Sequence, residues 1–96
     1  MSTKIVIPDA VLFGRQIGAA RKLLDLSQSA LGRLLRISRT HISKIESGKV
    51  NPHRSTKARI QRTLEGLGVE FTNGSGAGVR LKSNEVTVRA GRTSHA

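Results

Sequence analysis

Arg39, Thr40, Ser43 and Lys44 lie within six consecutive positions and carry the donors and acceptors that read the edges of base pairs. An arginine guanidinium suits bidentate contact with guanine, and a lysine ammonium suits guanine or a phosphate. Eleven residues before Arg39 stands Gln28, at the start of another candidate helix. There, free backbone N–H groups and the positive end of the helix dipole attract a phosphate. These residues can work together only if Arg39, Thr40, Ser43 and Lys44 share the exposed face of one helix, set steeply against a second.

The stretch 27–48, SQSALGRLLRISRTHISKIESG, reads as such a pair. Ser27 caps a helix over 28–35 that buries Ala30, Leu31, Leu34 and Leu35, and Ser38 caps a second over 39–47 that buries Ile42 and Ile45. Only Arg36 and Ile37 separate Leu35 from Ser38, so the helices must cross steeply. Leu31, Leu35, Ile37, Ile42 and Ile45 fill the crook. Gly48 stands where a helix C-terminus takes a left-handed residue.

The flanking chain supports this unit. A first helix is predicted over 10–24, with Asp9 as N-cap and Phe13, Ile17, Ala20 and Leu24 as its buried stripe. Gly14 and Gly18 each weaken a helix by about 1 kcal/mol relative to alanine, and they read as close-packing positions. Pro52 makes 49–53 a loop. A fourth helix follows over 54–67, with Ile60, Leu64 and Leu67 inward and Gly66 and Gly68 ending it. The period then changes to two: 69–72 and 79–82 alternate around NGSGAG, a β-hairpin with a longer loop. Residues 85–89 could add a third strand. The glycines between the strands precede no helix and no Gly-Lys-Ser/Thr, which argues against a phosphate loop.

Composition narrows the class. The 96 residues make one small domain with a modest core. The absence of cysteine removes disulfides and thiolate chemistry. No apolar run reaches the length of a bilayer span, and the N-terminus makes a poor signal peptide, so the cytoplasm is the expected location and no membrane partner is expected. Seventeen Lys and Arg stand against six Asp and Glu, a formal charge of +11. Nine of those bases and only one acid, Glu46, fall in 27–62. That concentration points to a polyanionic partner. His41, His53 and His95 form no ligand-spaced cluster, and the carboxylates are scattered. No metal or cofactor is implied, and an enzyme reading has little support.

The ordered set Leu26-Ser27-Gln28, Leu31, Ile37-Ser38, Ile42-Ser43, Glu46, Gly48 and Pro52 resembles the helix-turn-helix of the phage repressor/Cro superfamily, also called the XRE family. The resemblance covers about 10–68, and GVEFTNGSGAGVRL is similar to the C-terminal extension of many small bacterial members. It implies a mainly α, lambda-repressor-like helix-turn-helix bundle of four to five helices with a small C-terminal β-hairpin. It places Arg39, Thr40 and Lys44 at base-reading positions, with Ser43 and His41 beside them. Gln28, Ser38, Ser47, Lys49, His53 and Arg54 match phosphate-contacting positions, and Arg21 and Glu46 match an internal ion pair. Three positions depart from the family pattern. Gly32 replaces a usual alanine, Arg36 replaces the usual turn glycine, and Lys57 stands where an apolar residue is common.

The expected organisation is an arm or short strand over 1–8, a DNA-binding domain over 9–68, a β extension over 69–89 that is the candidate dimerisation element, and a flexible tail over 90–96. The expected function is a sequence-specific regulator of transcription that binds double-stranded DNA as a homodimer on an inverted repeat. The alternative is a protein-interaction module, such as an antiactivator or the antitoxin of a toxin–antitoxin pair, that uses 69–89 to hold a different protein.

Overall fold

The structure, a computed structural model, describes residues 5–73 and 76–82. It contains α1 (Asp9–Leu23), α2 (Gln28–Leu35), α3 (Arg39–Glu46), α4 (Arg54–Gly66), β1 (Val69–Thr72) and β2 (Gly78–Leu81). This is the mainly helical, lambda-repressor-like arrangement with a small hairpin, and it has four helices among the described residues. The possible third strand over 85–89 and the tail over 90–96 lie outside them. Residues 5–8 carry no regular structure, and Ile5 and Val6 are exposed.

Capping accounts for the middle helices. Ser27 Oγ accepts from the Ala30 N–H at 3.0 Å and Ser38 Oγ from the His41 N–H at 3.1 Å, which satisfies donors that have no partner inside the helix. The start of α1 differs from expectation. Pro8 is its N-cap, with φ −58° and ψ 147°, and the Pro8 carbonyl accepts from the Leu12 N–H at 3.0 Å. Asp9 is already helical and sits in the first turn, where its charge suits the dipole.

Ile17, Ala20, Leu24, Leu31, Leu35, Ile42, Ile45, Ile60, Leu64, Leu67 and Val69 form one continuous core. Phe13, expected in that stripe, is only partly buried, and the Lys57 ammonium lies 5.4 Å from its ring centroid. That cation–π contact gives the charged Lys57 a place against the edge of the core. Leu34 was expected inside and is instead 39% exposed. The buried face of α2 runs through Leu31, Gly32 and Leu35, and at about 100° per residue Leu34 falls well off its centre.

Two glycines set how closely the helices approach. A Cβ at Gly14 would stand 2.7 Å from the Glu46 carbonyl oxygen, so α1 lies directly against the end of α3. A Cβ at Gly32 would collide with the Ile37 carbonyl oxygen. The absence of a side chain at Gly32 therefore lets the turn after α2 fold back onto its own helix.

The strands pair antiparallel, Val69 with Leu81 and Phe71 with Val79. The Lys82 N–H bonds to the Gly68 carbonyl at 2.8 Å, and Arg80 meets Glu70 across the pair at 2.7 Å. Val69 is fully buried, and Phe71, Val79 and Leu81 pack on the core from the edge. The Gln16 amide of α1 donates to the Thr72 and Gly78 carbonyls at 3.3 and 3.2 Å. An isolated two-stranded hairpin is marginal in water, and here α1 and α4 supply the surface it needs.

Candidate nucleic-acid interface

Both helices of the α2–α3 unit end in the same backbone device. After α2, Arg36 takes φ 58° and ψ 43°, its N–H reaches the Arg33 carbonyl at 3.4 Å, and the Ile37 N–H reaches the Gly32 carbonyl at 2.9 Å. After α3, Gly48 takes φ +79°, and the Gly48 and Lys49 N–H groups reach the Ile45 and Lys44 carbonyls at 3.1 and 2.9 Å. Both are Schellman ends, which satisfy the last carbonyls and turn the chain sharply. A side chain adds to the first of them: Arg59 Nη1 donates to the Leu35 carbonyl at 2.7 Å. No periodicity in the sequence points to that contact.

With Ile42 and Ile45 anchored in the core, α3 turns Arg39, Thr40, His41 and Lys44 to solvent, and Ser43 is half-buried beside them. Lys49, His53 and Arg54 are exposed past the helix. Ser38 and His53 are caps; His53 Nδ1 accepts from the Ser55 N–H at 3.3 Å. The Ser38 hydroxyl accepts in its cap and can still donate elsewhere. Ser47 Oγ donates to the Lys44 carbonyl at 3.2 Å.

Behind this face runs a chain of polar contacts. Arg21 Nε and Nη2 donate to Glu46 Oε2 and Oε1 at 2.7 and 3.1 Å, and Arg21 Nη1 donates to the Leu26 carbonyl at 2.8 Å. The two side chains are 13% and 12% exposed, so solvent screens this bidentate pair little. Gln28 Nε2 donates to the same Glu46 Oε1 at 3.1 Å, and Gln28 Oε1 accepts from Arg39 Nη1 at 3.3 Å. Gln28 thus links the internal pair to the first exposed residue of α3. Among the described residues one amide hydrogen of Gln28 stays free at the start of α2, because a carboxamide has two to give. Glu46, the lone acid of the basic stretch, is engaged by Arg21 and Gln28, which leaves Arg39 and Lys44 as the charges on the outer face of α3.

A family model described as Helix-turn-helix matches residues 17–71, more than half of the chain, from the middle of α1 into β1. No curated protein matches it. No helix among the described residues is long and apolar enough to cross a membrane.

Proposed function

The chain belongs to the helix-turn-helix family of the XRE, or phage repressor/Cro, superfamily, whose members are DNA-binding regulators, and from that premise we propose that it controls transcription as a homodimer on an inverted-repeat operator. The carrying observation is the division of α3. Ile42 and Ile45 are buried while Arg39, Thr40, His41 and Lys44 stand together in solvent, as a helix laid in a major groove requires.

In this reading Arg39, Thr40 and Lys44 contact base edges, with Ser43 and His41 at the margin. The free amide hydrogen of Gln28, together with Ser38, Ser47, Lys49, His53 and Arg54, holds phosphates, which sets register without reading sequence. One α3 covers few base pairs, so two copies are needed, with half-site centres about 34 Å apart. The outer edge of the hairpin, with the exposed Ile5 and Val6, is the candidate dimer contact. The second reading, that the hairpin holds a different protein, would use the same edge, since its apolar side chains rest only in part on the chain's own core.

Footprinting of the DNA upstream of the chain's own gene tests the reading. Wild type is expected to protect a palindrome. Arg39→Ala with Lys44→Ala is expected to lose about 100-fold in specific affinity, since each good base contact contributes about 1–3 kcal/mol. A protected palindrome that survives the double substitution unchanged would sink the base readout.

A further inference from the structure

A cleft of about 570 Å³ opens between the C-terminal end of α2 and the last turns of α4. Arg33 and Arg36 enter it from α2 and its turn, and Arg62 from α4. Leu34 and Leu67 give it apolar walls. All three arginines are exposed, and none meets a carboxylate among the described residues. Leu34, 39% exposed, is a large aliphatic side chain left beside three guanidinium groups.

None of the proposed phosphate contacts lines the cleft itself. Gln28, His53 and Arg54 lie at the N-terminal ends of α2 and α4 and Ser47 and Lys49 follow α3, whereas the cleft lies at the C-terminal ends of α2 and α4; Arg33 and Arg36 also line a shallow groove with Ser38 and Arg39. At 1.5 Å per residue, Arg62 is about 12 Å along α4 from Arg54, and Leu35 about 10 Å along α2 from Gln28. Arg36 also holds its charge in a left-handed backbone that glycine would adopt without strain. A second copy of this chain, itself +11, is poorly matched to three more positive charges. The complementary occupant is anionic and carries some apolar surface.

We propose that this cleft docks an acidic, partly apolar segment of a partner protein. Arg33, Arg36 and Arg62 take its carboxylates in charge-assisted hydrogen bonds, and Leu34 receives an aliphatic side chain. The docking does not depend on the operator or on dimerisation.

Fluorescence anisotropy tests it on the full chain, using a short labelled peptide of glutamates interspersed with leucines. The triple variant Arg33→Gln, Arg36→Gly, Arg62→Gln is compared with Arg15→Gln, Lys22→Gln, Lys82→Gln, which removes equal charge from exposed positions elsewhere. The cleft triple is expected to weaken peptide binding about tenfold more than the control triple, a difference the tenfold-per-step affinity scale resolves readily. Leu34→Ser is expected to weaken the leucine-bearing peptide and to leave an all-glutamate peptide unaffected. Equal losses in the two triples would show attraction by net charge alone and overturn the proposal. A cleft triple that loses more DNA affinity than the control would assign the arginines to phosphates and also overturn it. Should the triple fold poorly by thermal melting, Arg62→Glu is compared with Lys22→Glu, an equal charge reversal at an exposed position; a larger loss at Arg62 is expected, and equal losses overturn the proposal.

Discussion

Arg36 and Gly48 solve one backbone problem in opposite surroundings. Each follows a helix of eight residues, each is left-handed, and each is bracketed by the same pair of Schellman hydrogen bonds. Gly48 is pressed against α1: a Cβ there would lie 2.8 Å from Val11 Cγ2 and 3.0 Å from Val11 Cα. Arg36 faces water. Glycine is therefore required twice over at the second end, by φ and by packing, and only by φ at the first. A position constrained by φ alone can carry a side chain at modest strain, and this chain places a charge there. Asp25, at φ 57° after α1, is a third instance. Its N–H and that of Leu26 reach the Lys22 and Arg21 carbonyls at 3.0 and 2.9 Å.

The comparison predicts a graded series. Gly48→Ala is expected to cost the most, about 3 kcal/mol, from a left-handed alanine plus displacement of Val11. Urea denaturation measures it, and a loss below about 1 kcal/mol would mean that α1 yields easily and the contrast is only one of φ. Arg36→Gly is expected to act in the opposite direction and gain about 1 kcal/mol by releasing strain. A net loss in the same titration would show that the arginine side chain contributes more than its backbone costs. Asp25→Gly should move stability least, by a few tenths of a kcal/mol, since aspartate tolerates the left-handed region. A gain as large as that at position 36 would remove the distinction between the two side chains.

Much of this architecture was legible because its signals are local. The serine hydroxyls at 27 and 38, the glycine at 48 and the change of period after Gly68 each act within a few residues, and they delimit α2, α3, α4 and the hairpin. The solvent face of α3 followed from Ile42 and Ile45, which fix its inner face. What the sequence withheld depends on how elements meet. Leu34 lies outside because the turn closes over Gly32 and draws the buried face of α2 that way. Pro8 displaced Asp9 as cap because the first helical hydrogen bond ends on the Pro8 carbonyl. Arg59 reaches a carbonyl 24 residues away, and Gln28 is shared between Glu46 and Arg39. Such pairings leave no mark in spacing or composition, since any long polar side chain at those positions would read the same.

The Gln16 amide bears on the order in which the molecule can be completed. Its partner Thr72 lies 56 residues downstream, and the fully buried Val69 belongs to the same late segment. The helices are local and can form early, but the core stays open on one side until the strand pair has been synthesised and docked. Closing so long a loop is the slow, entropically costly contact of a small domain. A chain emerging from the ribosome therefore carries α3 well before it carries the segment that completes the hydrophobic core beneath it.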